Sequence, residues 1–278
     1  MKLIAVFGAL AMVAGAQSLD VTEIMARVAR NQTQSEEARR QFTYHQQQLL
    51  RLTRGSGKVA REEKREYDVT PAARGSQKEL AHFEGKYEFK GQLVPYARPG
   101  YRYKDMDIDG ELINSLSEDL TNDRQSRDGL APEMFPLTKK AQKGYTFQLK
   151  GRERFRGREV YRVKFEPKAH QEYETQAVWK GEALIDVTEF QPVYVQTSLA
   201  SKIPMAVRTL LGTNIRGLGF AVSYEKFEDG IWFPVSYGGE FEVRAVFFYK
   251  RKISVSMTNA EFRRTQVDSS VTYVSQDR

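Results

Sequence analysis

The stretch "WKGEALIDVTEFQPVYVQTSLA", Trp179 to Ala200, decides the fold. From Trp179 every second residue through Val187 is apolar or small (Trp179, Gly181, Ala183, Ile185, Val187), while Lys180, Glu182 and Asp186 fall between them. A period of two is the pattern of a half-buried strand. After a short polar break it resumes with Val193, Val195, Thr197 and Leu199, so the stretch reads as a hairpin with one apolar face. Function turns on what covers that face.

The same alternation surrounds it. "YTFQLKG" puts Tyr145, Phe147 and Leu149 on one side, and "REVYRVKFEP" does so with Tyr161, Val163 and Phe165 while Arg162 and Lys164 point away. Downstream, "GFAVSYEKFEDGIWFPVSYGGEFEVRAVFFYKRKISVSMTNAEF" predicts further strands turning at Asp229-Gly230 and Gly238-Gly239, with Phe241, Val243, Ala245, Phe247 and Tyr249 on one face. Upstream, "LDVTEIMARVARNQ" places Asp20 as N-cap with Glu23 three residues on, and Val21, Ile24, Met25 and Val28 form one helical stripe. A polar link, "TQSEEARRQ", then leads into "FTYHQQQLLRLT", where Phe42, Tyr44, Leu50 and Leu52 share a parity. Gly55-Ser56-Gly57 turns the chain and "KVAREEKREYDVT" returns as a charged strand, giving a first hairpin more polar than the later ones. Short strands follow between Gly75 and Gly100, with a turn at Lys90-Gly91. Short helices are expected over Glu111 to Leu120 and over Ile203 to Leu211, the latter with Pro204 near its start and Gly212 just past its end. Between them lies a loop with Gly129, Pro132 and Pro136, pinned by Met134, Phe135 and Leu137.

The chain opens "MKLIAVFGALAMVAGAQSLD": a positive Lys2, an apolar run from Leu3 to Val13, and small residues at Ala14-Gly15-Ala16. That is the form of a secretory signal peptide over residues 1–16, and it leaves residues 17–278 as one domain in a periplasmic or secreted protein. No later run is long enough for a transmembrane helix. The absence of cysteine excludes a lipid-bearing lipobox, disulfides and thiolate chemistry. Cleavage would leave 42 Lys and Arg against 36 Asp and Glu, a net charge of +6. The charges are interspersed, as in "REEKREYD" and "GRERFRGREVYR", which suits solvated sheet faces, and an exported chain is not expected to meet nucleic acid.

At least six strands after Tyr145 have a clean apolar side, and antiparallel sheets of this kind must bury that side against something. At most three helices are available, two of them short. The sheet therefore closes on itself, pairs with a second sheet, or stays open around an apolar ligand.

The order of features also resembles a known family: an export signal, an N-terminal helix, antiparallel strands, "YTFQLKGRERFRGREVYRVKFEPK", "WKGEALIDVTEFQPVYVQTSL" with its aliphatic-Asp step and following Pro-Val, and "FEDGIWFPVSY". It is similar to the LolA/LolB-type periplasmic lipoprotein carriers and their RseB-type relatives, over roughly Gly144 to Phe262 together with the first helix and hairpin. The resemblance implies an α+β, mainly antiparallel fold. In it a strongly curved, open half-barrel sheet has a few short helices plugging its concave face, and acyl chains of a lipid or lipoprotein lie in the cavity. The cavity lining expected from strand parity is Tyr145, Phe147, Tyr161, Val163, Phe165, Trp179, Ile185, Val187, Val193, Val195, Trp232, Phe241, Val243 and Phe247, with Ile203, Val207, Leu210 and Leu211 as lid beside Glu111 to Leu120. Exposed cations such as Arg162, Lys164 and Arg208 are candidates to meet headgroups. The segment from Gly100 to Lys143 is long and irregular for a minimal carrier, the Ile203 to Leu211 insert is this chain's own, and no single acyl-contacting residue of the family maps onto a position here. The expected protein is a monomeric, non-enzymatic carrier or chaperone of outer-membrane lipoprotein sorting. The alternative is an RseB-type sensor module that uses the same sheet to bind envelope membrane proteins.

No constellation for catalysis, cofactor or metal stands out. His45, His82 and His170 are scattered, without metal-ligand spacing. Ser126 to Gly129, "SRDG", reads as a turn, and "GTNIRGLGF" lacks the Gly-Lys-Ser/Thr of a phosphate loop. Asp186, on the face opposite Ile185, is expected to be solvated or paired with an arginine.

Overall fold

The computed structural model describes residues 20–72, 75–120, 135–168, 179–200, 214–227, 230–245 and 249–265. Helix α1 (Val21–Arg39) leads into β1 (Phe42–Arg54), β2 (Val59–Pro71), β3 (Ser76–Phe89) and β4 (Gln92–Tyr96). Then come α2 (Ile108–Leu120), the single-turn α3 (Lys139–Gln142), β5 (Tyr145–Phe155), β6 (Arg158–Pro167), β7 (Trp179–Asp186) and β8 (Pro192–Leu199). The chain ends in β9 (Asn214–Arg216), β10 (Gly219–Lys226), β11 (Trp232–Ala245) and β12 (Tyr249–Arg264). These strands form one antiparallel sheet in the order β4-β3-β2-β1-β12-β11-β10-β8-β7-β6-β5, with β9 alongside β11. The edges β4 and β5 do not pair with each other, so the expected open, curved sheet with helices on its concave side is what the chain forms.

Two hairpin turns are set by left-handed backbone. Lys90 and Gly91 have φ of 49° and 84°, and Arg156 and Gly157 have 49° and 80°, the two-residue geometry that matches strand twist. The β7–β8 turn is fixed by a side chain instead: Asp186 accepts from the backbone N–H of Thr188 and of Glu189, both at 2.9 Å, and ion-pairs with Arg158 at 3.2 Å. Asp186 is therefore arginine-paired as expected, but buried, because it holds the turn.

Helix α1 runs through Arg39, so the predicted polar link "TQSEEARRQ" is helical up to that point. Three polar side chains of α1 meet the β7–β8 turn: Asn31 donates to Glu189 O at 2.6 Å, Gln32 donates to Gln191 Oε1 at 2.7 Å, and Ser35 Oγ accepts from Gln191 at 2.9 Å. Asp20 occupies the N-cap without a side-chain cap bond, and Glu23 pairs with Arg27. Packing against both β5 and β11, α1 spans strands five places apart in the sheet. Its length of roughly 28 Å suits a chord across those strands, about 24 Å when laid flat.

Gly238-Gly239 is not a turn but the middle of β11. A Cβ at Gly239 would lie 2.2 Å from the Gly219 carbonyl oxygen and 2.9 Å from the Phe220 ring, so bare backbone is needed where β10 and β11 press together. Gly239→Val is expected to lower stability by about 2 kcal/mol or more, read as a shift in the urea midpoint; an unchanged midpoint would show that the strands are not this close.

Candidate functional site

Residues opposite each other in antiparallel strands share a face, and one register row crosses most of the sheet. It runs Leu149, Val163, Ala183, Val195, Val222, Tyr237 and Met257, then changes character to Gln48 and Arg65, and ends at Phe83. A second row runs Phe147, Phe165, Gly181, Thr197 and Phe220; beyond Gly239 it continues as Val255, Leu50, Glu63, Gly85 and Tyr96. The concave face is thus apolar from β5 to β12 apart from Thr197, and polar on β2.

On the apolar part, Tyr161, Val163, Phe165, Trp179, Ile185, Val193, Val195, Trp232, Phe241 and Val243 are all buried in one hydrophobic cluster. Tyr145, Phe147 and Val187 are half-buried at its margin. The two tryptophans are not brought together. Trp179 meets the Phe220 ring at 5.8 Å, Phe220 stacks on Tyr237 at 5.3 Å and touches Phe241 at 6.2 Å, and Phe135 reaches Tyr237 at 6.3 Å. Trp232 stands under Arg158, 4.9 Å from its ring centroid, and donates to Glu189 at 3.0 Å. Phe247, Ile203, Val207, Leu210, Leu211, Arg208, His170 and the loop Ser126 to Gly129 lie outside the described residues. Arg162 is neutralised by Glu153 and Glu182, both at 2.7 Å, and Lys164 by Glu166 at 2.9 Å.

The polar part has no counterpart in the alternation of the sequence. Arg61, Glu63, Gln46, Gln48 and Ser117 are inaccessible to solvent, and Arg65 and Asp107 nearly so. Arg61 donates to Tyr96 Oη at 2.8 Å and Asp107 Oδ2 at 2.6 Å; Tyr96 donates to Glu63 Oε1 at 2.6 Å; Arg65 donates to Glu63 Oε2 at 2.9 Å and Ser117 Oγ at 2.7 Å; Ser117 donates to Gln48 Oε1 at 2.9 Å. Asp107 also caps α2, accepting from Gly110 N at 2.9 Å. Asp109 in its first turn receives Arg251 at 2.8 Å and Tyr249 Oη at 2.7 Å. The helix expected as part of a lid, α2, is therefore pinned to β2 and β12 by charge-assisted bonds at both ends. The network was hidden because "REEKREYD" is charged on both parities, so alternation gives no inward face. Only the pairings Leu50–Glu63 and Leu52–Arg61 place it beside the core.

Burial works against the Arg61 charge, but Tyr96 and Asp107 hold its pKa above the ordinary arginine value. Burial, then the Glu63 carboxylate, pushes the Tyr96 phenol up; burial alone does so for Tyr237, and burial with Asp109 for Tyr249. Among the described residues no group of His, Asp and Glu could hold a metal ion, and no helix is long and apolar enough to cross a membrane. His45 faces Asp68 at 3.2 Å and His82 faces Glu84 at 2.9 Å at the exposed side of the first strands.

Neither protein-family models nor curated proteins match the chain. Solved structures do. The chain is similar to a LolA superfamily protein from Nitrosomonas europaea at 10% identity, covering 90% of this chain and 96% of that one with a TM-score of 0.36. It is similar to a putative outer membrane lipoprotein-sorting protein domain from Vibrio parahaemolyticus at 10% identity, 90% and 95% coverage and a TM-score of 0.39. A DUF1329 family protein from Desulfovibrio piger aligns at 15% identity, 90% and 95% coverage and a TM-score of 0.36. The structures to which the chain is similar thus include the LolA type.

Two outcomes follow from the buried polar groups of both parts. Arg65→Met leaves Glu63 without its strongest partner and is expected to cost about 3 to 5 kcal/mol in urea unfolding, whereas a cost under about 1 kcal/mol would mean the network is solvated. A buried phenol whose pKa is raised keeps its proton when the unfolded one ionises near pH 10, so its contribution is complete below that pH and lost above it. Thermal stability should accordingly fall above about pH 10, and less steeply in a Tyr96→Phe, Tyr237→Phe, Tyr249→Phe variant.

Proposed function

We propose that the protein is an exported, non-enzymatic carrier or chaperone that shelters the acyl chains of a lipid or lipoprotein against its concave face. The observation that carries this reading is the apolar cluster that lines the concave side from β5 to β12, anchored by the aromatic group Trp179, Phe220, Tyr237 and Phe241. Removing apolar surface from water contributes about 25 cal/mol per Å² and needs no directional partner, which suits a flexible chain. Polar groups collect at one flank, on β2, where Arg61 and Arg65 border the apolar rows. An acyl chain would lie along β8, β10 and β11 with its polar end toward that flank. The apolar run at residues 3–13 supports export to a compartment where such cargo is handled.

Native mass spectrometry of the protein purified from a bacterial envelope without detergent is expected to show bound acyl lipid. Val195→Phe, which fills the face while keeping it apolar, should remove the adduct, as should Ile185→Asp. A folded wild-type protein that carries no lipid and takes up neither phospholipid nor lipopeptide would overturn the reading, as would a Val195→Phe variant loaded like wild type.

A further inference from the structure

The whole chain carries a net charge of +7, and one edge of the sheet holds a dense excess of cations. Residues 139–157, comprising α3, β5 and the turn to β6, hold seven lysines and arginines against the single Glu153, a net +6. Every one of the seven is exposed, including Lys143, Lys150, Arg152, Arg154 and Arg156. Glu153 is itself taken by Arg162 of β6, at 2.7 Å. Elsewhere cations and carboxylates interleave: Lys226 meets Glu189 at 3.0 Å, Lys252 meets Glu240 at 2.8 Å, and Lys86 meets Glu62 at 2.6 Å. Among the described residues none of the seven has a carboxylate within ion-pairing distance. Arg152 lies on the Tyr161 ring and donates to its hydroxyl at 3.0 Å, and Arg156 stands 5.2 Å from the Phe155 centroid.

We propose that this edge, β5 with α3, docks the protein on a membrane surface containing anionic lipid. Exposed cations on long flexible stems suit a fluid array of phosphate headgroups, each adding to the attraction while keeping its charge in water. An acidic peptide added as a further strand fits less well, because the register of β5 breaks between Leu149 and Gly151 and a regular ladder would be interrupted there. The edge also complements the concave face, since it places the half-barrel's first apolar strand beside the lipid. The inference rests on where the charge lies and not on acyl cargo, so a protein that carries no lipid would still dock.

The test is co-sedimentation of the full chain with vesicles of phosphatidylcholine alone or mixed with phosphatidylglycerol. The edge variant is Lys143→Gln, Lys150→Gln, Arg154→Gln; the control, Lys58→Gln, Lys90→Gln, Arg98→Gln, removes the same charge near the opposite edge. Binding to the anionic vesicles should weaken by about a hundredfold in the edge variant, stay near wild type in the control, and fall with added salt in wild type. Residual binding to the neutral vesicles should be the same in all three proteins. Equal binding by wild type and edge variant would overturn the proposal, as would equal losses in both variants, which would make net charge alone responsible. Absent vesicle binding with capture of polyglutamate would overturn it in favour of an acidic protein partner.

Discussion

Pairing of the first strand with the last is the constraint on which the structure depends. Leu50 faces Val255 and Leu52 faces Ile253 across β1 and β12, which makes the polar N-terminal strands continuous with the apolar C-terminal ones. Without that junction β1 to β4 would be a separate hairpin pair with no core of their own. With it, the inward side chains of β2 meet the flank of the apolar face and must be satisfied without water. Arg61, Glu63, Arg65, Tyr96, Asp107 and Ser117 do so with one another. A network of this kind adds little net stability over an apolar core, but a missing member leaves a buried charge. It therefore acts to specify where α2 sits.

The two long helices divide the concave side. At one rim, α1 is tied to the β7–β8 turn by amide side chains and to β11 by Arg39 donating to Trp232 O at 2.8 Å. Over β1 and β2, α2 is held by Arg61, Arg65 and Arg251. Toward the other rim the sheet presents its aromatic group, with Trp179 at the start of β7 and Phe241 well along β11. The apolar part is thus bounded by fixed helices on two sides, and glycines at Gly181 and Gly239 let strands and rings approach closely within it.

Much of this was legible because period-two alternation is a local signal. Trp179 to Ile185 and Val193 to Leu199 declare an inward face without reference to any other strand, and the structure seats them on one face of an open sheet. What escaped depends on distant partners. The tail of α1 is anchored where Ser35 meets Gln191 and Arg39 meets the Trp232 carbonyl, contacts invisible in "TQSEEARRQ". Gly238-Gly239 looks like a turn until the Gly219 backbone is set against it. The charges of β2 read as solvated until register puts Glu63 opposite Leu50. Similarly, the basic edge looks interspersed in sequence, and stands out only when Arg162 is seen to consume Glu153.

The proposed function requires the apolar face between α1 and α2 to receive an acyl chain. The decisive measurement is photocrosslinking with a fatty acid carrying a photoreactive group at its terminal carbon, followed by peptide mapping. Acyl binding there would concentrate labels on the inward residues of β8, β10 and β11, Val195, Phe220, Tyr237 and Phe241 among them. Labels confined to outward positions such as Tyr194 or Glu240, or no labelling of the folded protein, would contradict it.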